Sequence, residues 1–112
     1  MYDLYIPMVE NPDPAGIIRV EQITGPILLI ASKMDTMWPS EAAAEQIMKR
    51  LRENDFSYSY QHLSYDCGGH LFVPMELRLA KFFRGDRGKY KELSREARMD
   101  SLTKTLEFVT RW

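Results

Sequence analysis

The sequence is poor in the groups that most often announce a function. It holds one cysteine, Cys67, so no internal disulfide can form, and such usage points to a reducing, cytoplasmic setting. It holds two histidines, His62 and His70, and with a single Cys these give no cluster at metal-ligand spacing. Neither a metal nor an organic cofactor is called for. Lys and Arg number 15 against 16 Asp and Glu, a net charge of −1, so the basic excess of a nucleic-acid binder is missing. No apolar run approaches the ~18 residues that a membrane span requires. Met1-Tyr2-Asp3-Leu4 has neither the basic start nor the long apolar stretch of a secretory signal. Nowhere does Gly-x-Ser-x-Gly occur, which removes the strand-to-helix elbow that presents a nucleophilic serine.

What is present suits one small domain. The chain has 112 residues, and 45% of them are hydrophobic, enough to build a core. No repeat or low-complexity tract divides it, and the seven Met are scattered as gap-filling residues. Residues 1–25 read as an extended lead-in, because Pro7, Pro12, Pro14 and Gly16 favour turns and extended chain. Residues 26–73 read as a strand, a helix and a strand. The run Pro26 to Ala31 suits a strand buried on both faces of a parallel sheet. Ser40 is placed to cap a helix, with Ala43, Ile47 and Leu51 on one face beside Ala44 and Met48, and Lys49, Arg50 and Arg52 near its end. Phe56 to Leu63 alternates, with Phe56, Tyr58, Tyr60 and His62 on one side. Strand, helix, strand in this order implies a βαβ unit with parallel strands. Residues 74–93 read as a variable loop, with a short helix over Glu76 to Phe83 broken by Gly85-Asp86-Arg87-Gly88. Residues 94–112 form a closing helical segment. There the helix is expected to start at Asp100 or Ser101, with Leu102, Leu106 and Val109 facing inward and Lys104 and Arg111 facing solvent.

Two loops carry the most information. Pro26 to Ile30 leads into Ala31-Ser32-Lys33-Met34-Asp35-Thr36-Met37-Trp38-Pro39-Ser40, and the second strand leads into Tyr65-Asp66-Cys67-Gly68-Gly69-His70. Together with Val20-Glu21-Gln22-Ile23-Thr24-Gly25-Pro26, Ala44-Glu45-Gln46-Ile47 and Arg50-Leu51, they resemble the C-terminal domain of the acyl-CoA thioesterase and bile acid-CoA:amino acid N-acyltransferase family. Members of that family are α/β-hydrolases related to dienelactone hydrolase. Trp38-Pro39-Ser40 after the acid is the most family-specific piece. The resemblance covers the chain firmly from Ile18 to Pro74, and the final helix loosely. It departs from the family at Ala31-Ser32, where Ser-Gly is usual, at Met34, where a second Asp is usual, and at Gly68, where Ala is common.

The resemblance implies an α/β fold, the C-terminal portion of an α/β-hydrolase: a βαβ unit with parallel strands plus a C-terminal helix. It implies Asp35 as the acid and His70 as the base of a Ser/Cys-His-Asp triad. The substrate class would be an acyl-CoA thioester, with the acyl group passing to water or an amine. The nucleophile and oxyanion donors would be supplied by sequence outside these residues, so the chain alone is expected to be inactive. Parallel strands bring their C-terminal ends to one edge of the sheet, where an orienting pair should stand about 3 to 5 Å apart. A small sheet with open edges calls for association, as a homo-oligomer or with a companion hydrolase half. The alternative is a non-catalytic, degenerate hydrolase fragment that serves as a self-associating or partner-binding module.

Other conspicuous residues have plainer readings. His62, within a strand, is a packed or surface histidine. Cys67 lies on the histidine loop rather than an elbow and reads as an inert small side chain. Ser32, Ser40 and Ser64 lie near the two loops without a nucleophile pattern. Lys81, Arg84, Arg87, Lys89 and Lys91 could meet coenzyme A phosphates, but a solvated loop explains them. The Phe56, Tyr58, Tyr60 row reads as a packed strand face rather than a base-stacking platform.

Overall fold

The computed structural model describes residues 2–70 and 90–112. The helix expected over Glu76 to Phe83, its glycine break and all of the basic stretch but Lys91 lie outside the described residues.

The apolar run forms β1 (Ile27–Ser32), and the alternating run forms β2 (Tyr60–Tyr65). The second strand starts four residues later than its pattern begins, so Phe56 and Tyr58 precede it. There the Phe56 ring meets Tyr58 and Tyr60, with centroids 5.6 and 5.9 Å away. The strands pair in parallel, from Ile27 opposite Tyr60 to Ser32 opposite Tyr65. Between them runs the crossover helix α2 (Ser40–Glu53). It buries Ala44 and Leu51 at helical spacing, and full burial of a leucine side chain is worth roughly 1.5–3 kcal/mol. Ser40 does not cap it. Pro39 occupies the cap position, and the Ser40 hydroxyl reaches back to the Ser32 backbone instead.

The C-terminal end of α2 is closed by backbone. Phe56 N–H donates to the Leu51 carbonyl at 3.0 Å and Asp55 N–H to the Arg52 carbonyl at 3.2 Å, the paired bonds of a Schellman turn. Asp55 takes the left-handed conformation that this turn needs, at φ 49°.

Paired residues of parallel strands point to the same side, so His62 and Ser64 share one face and Leu63 and Tyr65 the other. α2 covers the first face, where Ser64 Oγ donates to Glu41 Oε1 at 2.5 Å. The last helix, α3 (Lys91–Thr110), covers the second, where Tyr65 Oη donates to Asp100 Oδ2 at 2.7 Å. The result is a helix on each side of a parallel pair. Sheet coverage is uneven. Ala31 and Ser32 are buried, but Ile27 to Ile30 are only half-buried, short of the two-sided burial their composition suggests. Among the described residues the sheet has two strands, too few to enclose the run.

Two expectations are overturned. The lead-in is not extended: α1 (Tyr2–Glu10) is a helix with Pro7 inside it. Docking outweighs the proline. Tyr5 packs edge-on against Trp38 with ring centroids 5.2 Å apart, Val9 is buried, and Gln46 donates to the Val9 carbonyl. Short 3₁₀ turns at Pro14–Gly16 and Val20–Gln22 follow. α3, for its part, starts nine residues before Asp100 and turns a different face inward. Ser94, Ala97, Arg98 and Ser101 are buried, whereas Leu106 and Val109 are 58% and 54% exposed. The inward face is thus three small residues and one arginine rather than a leucine row.

Candidate active site

Parallel pairing brings the ends of β1 and β2 side by side, and four links then join the loops that leave them. Lys33 N–H donates to the Tyr65 carbonyl at 3.0 Å and extends the ladder by one step. Ser32 Oγ donates to the Gly68 carbonyl at 2.7 Å in a buried setting. Lys33 Nζ and Asp66 Oδ1 stand 3.0 Å apart, and the bond raises the lysine's proton affinity. Both groups are largely exposed, so this ion pair contributes little. The fourth link joins the two candidate site residues: His70 Nδ1 lies 3.1 Å from Asp35 Oδ2 and 3.2 Å from Oδ1.

Asp35 is 6% exposed and has its charge met by oriented donors. Its Oδ1 accepts from Met37 N–H at 3.0 Å and Trp38 N–H at 3.2 Å, so the chain folds around the carboxylate as an Asx turn. Trp38 is in turn held by Tyr5 of α1. A carboxylate that is ionised only accepts, and facing one, His70 Nδ1 would carry the proton between them and leave Nε2 as the acceptor. The His70 side chain is 35% exposed while the Asp35 side chain is 5% exposed, so the carboxylate is buried and the ring reaches the surface. Gly68 supports this turn at φ 139°, a conformation that L side chains rarely adopt. The glycine at this departure from the family pattern therefore matches its backbone.

The second histidine is placed otherwise. His62 Nε2 lies 3.6 Å from Glu41 Oε2 beneath α2, and neither atom has a hydrogen-bond partner. Cys67 is half-buried and lines a cleft of about 400 Å³ between the histidine loop and α3, with Tyr65, Asp66, Leu93, Glu96, Ala97 and Asp100. Neither Asp35 nor His70 lines that cleft. Burial and the Asp100 hydrogen bond push the Tyr65 phenol well above its ordinary range. Of the serines near the loops, Ser32 and Ser64 spend their hydroxyl protons on Gly68 and Glu41. The Ser32 link is the feature that sequence reading passed over, since a serine ending a strand carries no pattern of its own. Among the described residues no group of three or more His, Cys, Asp or Glu could hold a metal, and no helix is long and apolar enough to cross a membrane.

Comparison with known families gives one match: the family described as BAAT / Acyl-CoA thioester hydrolase C terminal, over residues 1–77. That span includes both loops. No curated protein and no solved structure matches the chain.

Proposed function

This chain belongs to the BAAT / acyl-CoA thioester hydrolase C-terminal family, and on that premise we propose that it supplies the acid and base of an acyl-transfer site. The observation that carries this reading is the Asp35–His70 pair at the ends of two parallel strands, buried on the carboxylate side and accessible on the imidazole side. His70 Nε2 takes the proton of a Ser or Cys nucleophile as that group attacks the thioester carbonyl. Asp35 keeps the ring in the required tautomer and stabilises the imidazolium. The coenzyme A thiolate leaves and takes the proton from His70, and an acyl-enzyme remains. Water or an amine then attacks it, with His70 as base once more. The nucleophile and the oxyanion donors come from a segment or companion chain outside these 112 residues.

The half-covered strand β1 and the exposed Leu106, Val109 and Trp112 support such a partner. They also support the second reading, a non-catalytic module that associates with itself or another protein. Thiol release from an acyl-CoA separates the two. The purified chain should show no saturable turnover, and adding a polypeptide that carries the family's upstream half should restore it. Reconstitution that survives His70→Ala sinks the acyl-transfer reading. Turnover by the chain alone contradicts an external nucleophile.

A further inference from the structure

We infer that Ser32 is a positioning residue that holds the histidine loop in register with the acid loop; this rests on the assignment of Asp35 and His70 above. Ser32 ends β1 and is 2% exposed. Its hydroxyl proton goes to the Gly68 carbonyl at 2.7 Å, and its oxygen accepts from Met34 N–H at 3.1 Å. Met34 directly precedes the acid, and Gly68 stands two residues before the base. One hydroxyl therefore touches both loops within two residues of the pair. The Ser32 carbonyl adds a further tie by accepting from Asp35 N–H at 3.2 Å.

The other cross-loop links cannot do this work. The Lys33–Tyr65 bond lies at the end of the ladder, five residues before His70, and the Lys33–Asp66 pair is exposed. Beyond Asp66 the Ser32 bond and the dyad itself both join the histidine loop to the acid loop. The hydroxyl is also committed. Its single proton faces a carbonyl oxygen, so ionising Ser32 would set two oxygens against each other at 2.7 Å. That commitment sets Ser32 apart from a nucleophile and makes it a splice between the two loops. Where the family usually has glycine, this chain has a side chain able to make the bond.

The test is ¹H–¹⁵N NMR of the full chain, reading exchange of the His70 Nδ1 proton. Ser32→Ala should speed that exchange about fivefold to tenfold, in line with loss of one buried hydrogen bond. Ser32→Thr, which keeps the hydroxyl, should stay within about twofold of the parent. Ser32→Cys keeps the volume but has only a weak donor, and serves as the loss variant should alanine prevent folding. In the reconstituted enzyme the loss variant should lower kcat and leave KM unchanged. An unmoved exchange rate and an unmoved kcat in the loss variant overturn the role of Ser32. Asp35→Asn is the separate control: if the His70 Nδ1 proton is unaffected there, the dyad assignment fails, whatever Ser32 does.

Discussion

Two histidines of this chain each face a carboxylate, and the contrast between them shows what an acid–base pair requires. His62 and Glu41 meet beneath α2 at 3.6 Å, and the two facing atoms lack hydrogen bonds. Both side chains are mostly covered, at 13% and 18% exposure. His70 and Asp35 meet at 3.1 Å beyond the strand ends, with the carboxylate held by two backbone N–H groups and the ring accessible. Proximity is common to both. A carboxylate held by backbone N–H groups and a ring that reaches the surface belong to the His70 pair. The middle of a strand fixes a histidine against its covering helix, whereas the C-terminal edge turns it toward the opening of the sheet.

After loss of the base itself, the largest effect is expected from removing the orienter. Asp35→Ala in the reconstituted enzyme should lower kcat by about 10⁴-fold, as loss of an aspartate from such triads does. Glu41→Ala should leave kcat nearly unchanged, and steady-state thiol release measures both. Equal losses would erase the distinction between the pairs.

A smaller effect, on stability, tests the scaffold of the better pair. Gly68 sits at φ 139°, so Gly68→Ala should destabilise the chain by about 1–3 kcal/mol in urea unfolding. A change near zero would mean that the loop is not held in this conformation.

The smallest effect concerns a carboxylate remote from both histidines. Glu21 accepts from Arg50 at 2.5 and 2.8 Å, and this hydrogen-bonded pairing pulls its pKa from 4.5 to about 2. A carboxyl whose folded pKa lies below its unfolded value stabilises the fold above the unfolded pKa. Its contribution is therefore present above about pH 4.5 and fades as pH falls toward 2. Glu21→Gln should lower stability at neutral pH, leave it almost unchanged near pH 2, and so flatten the acid limb of a stability-versus-pH curve. An unchanged acid limb would show that this part-buried pair does not persist in solution.

How much of this was legible in the sequence follows from which forces acted locally. Asp35 and His70 could be placed because each follows a strand by a few residues, and parallel pairing fixes where strand ends go. β1 was legible because an apolar run of that length is a local signal. α1 was not, because its proline-containing segment is helical only through contacts with Trp38 and Gln46, far along the chain. The inner face of α3 was misread because leucines were expected to face inward. Ser94, Ala97, Arg98 and Ser101 are buried there instead. Ser32 escaped notice because its role exists only once Gly68 lies beside it.

The contrast between the two histidines is also the most direct test of the account. His70→Ala and His62→Ala are each combined with the upstream half, with folding checked by circular dichroism, and kcat for acyl-CoA hydrolysis is measured. The account predicts a loss of at least about 10⁴-fold for His70→Ala and a change within about threefold for His62→Ala. Comparable losses in both, or a loss confined to His62→Ala, would contradict it.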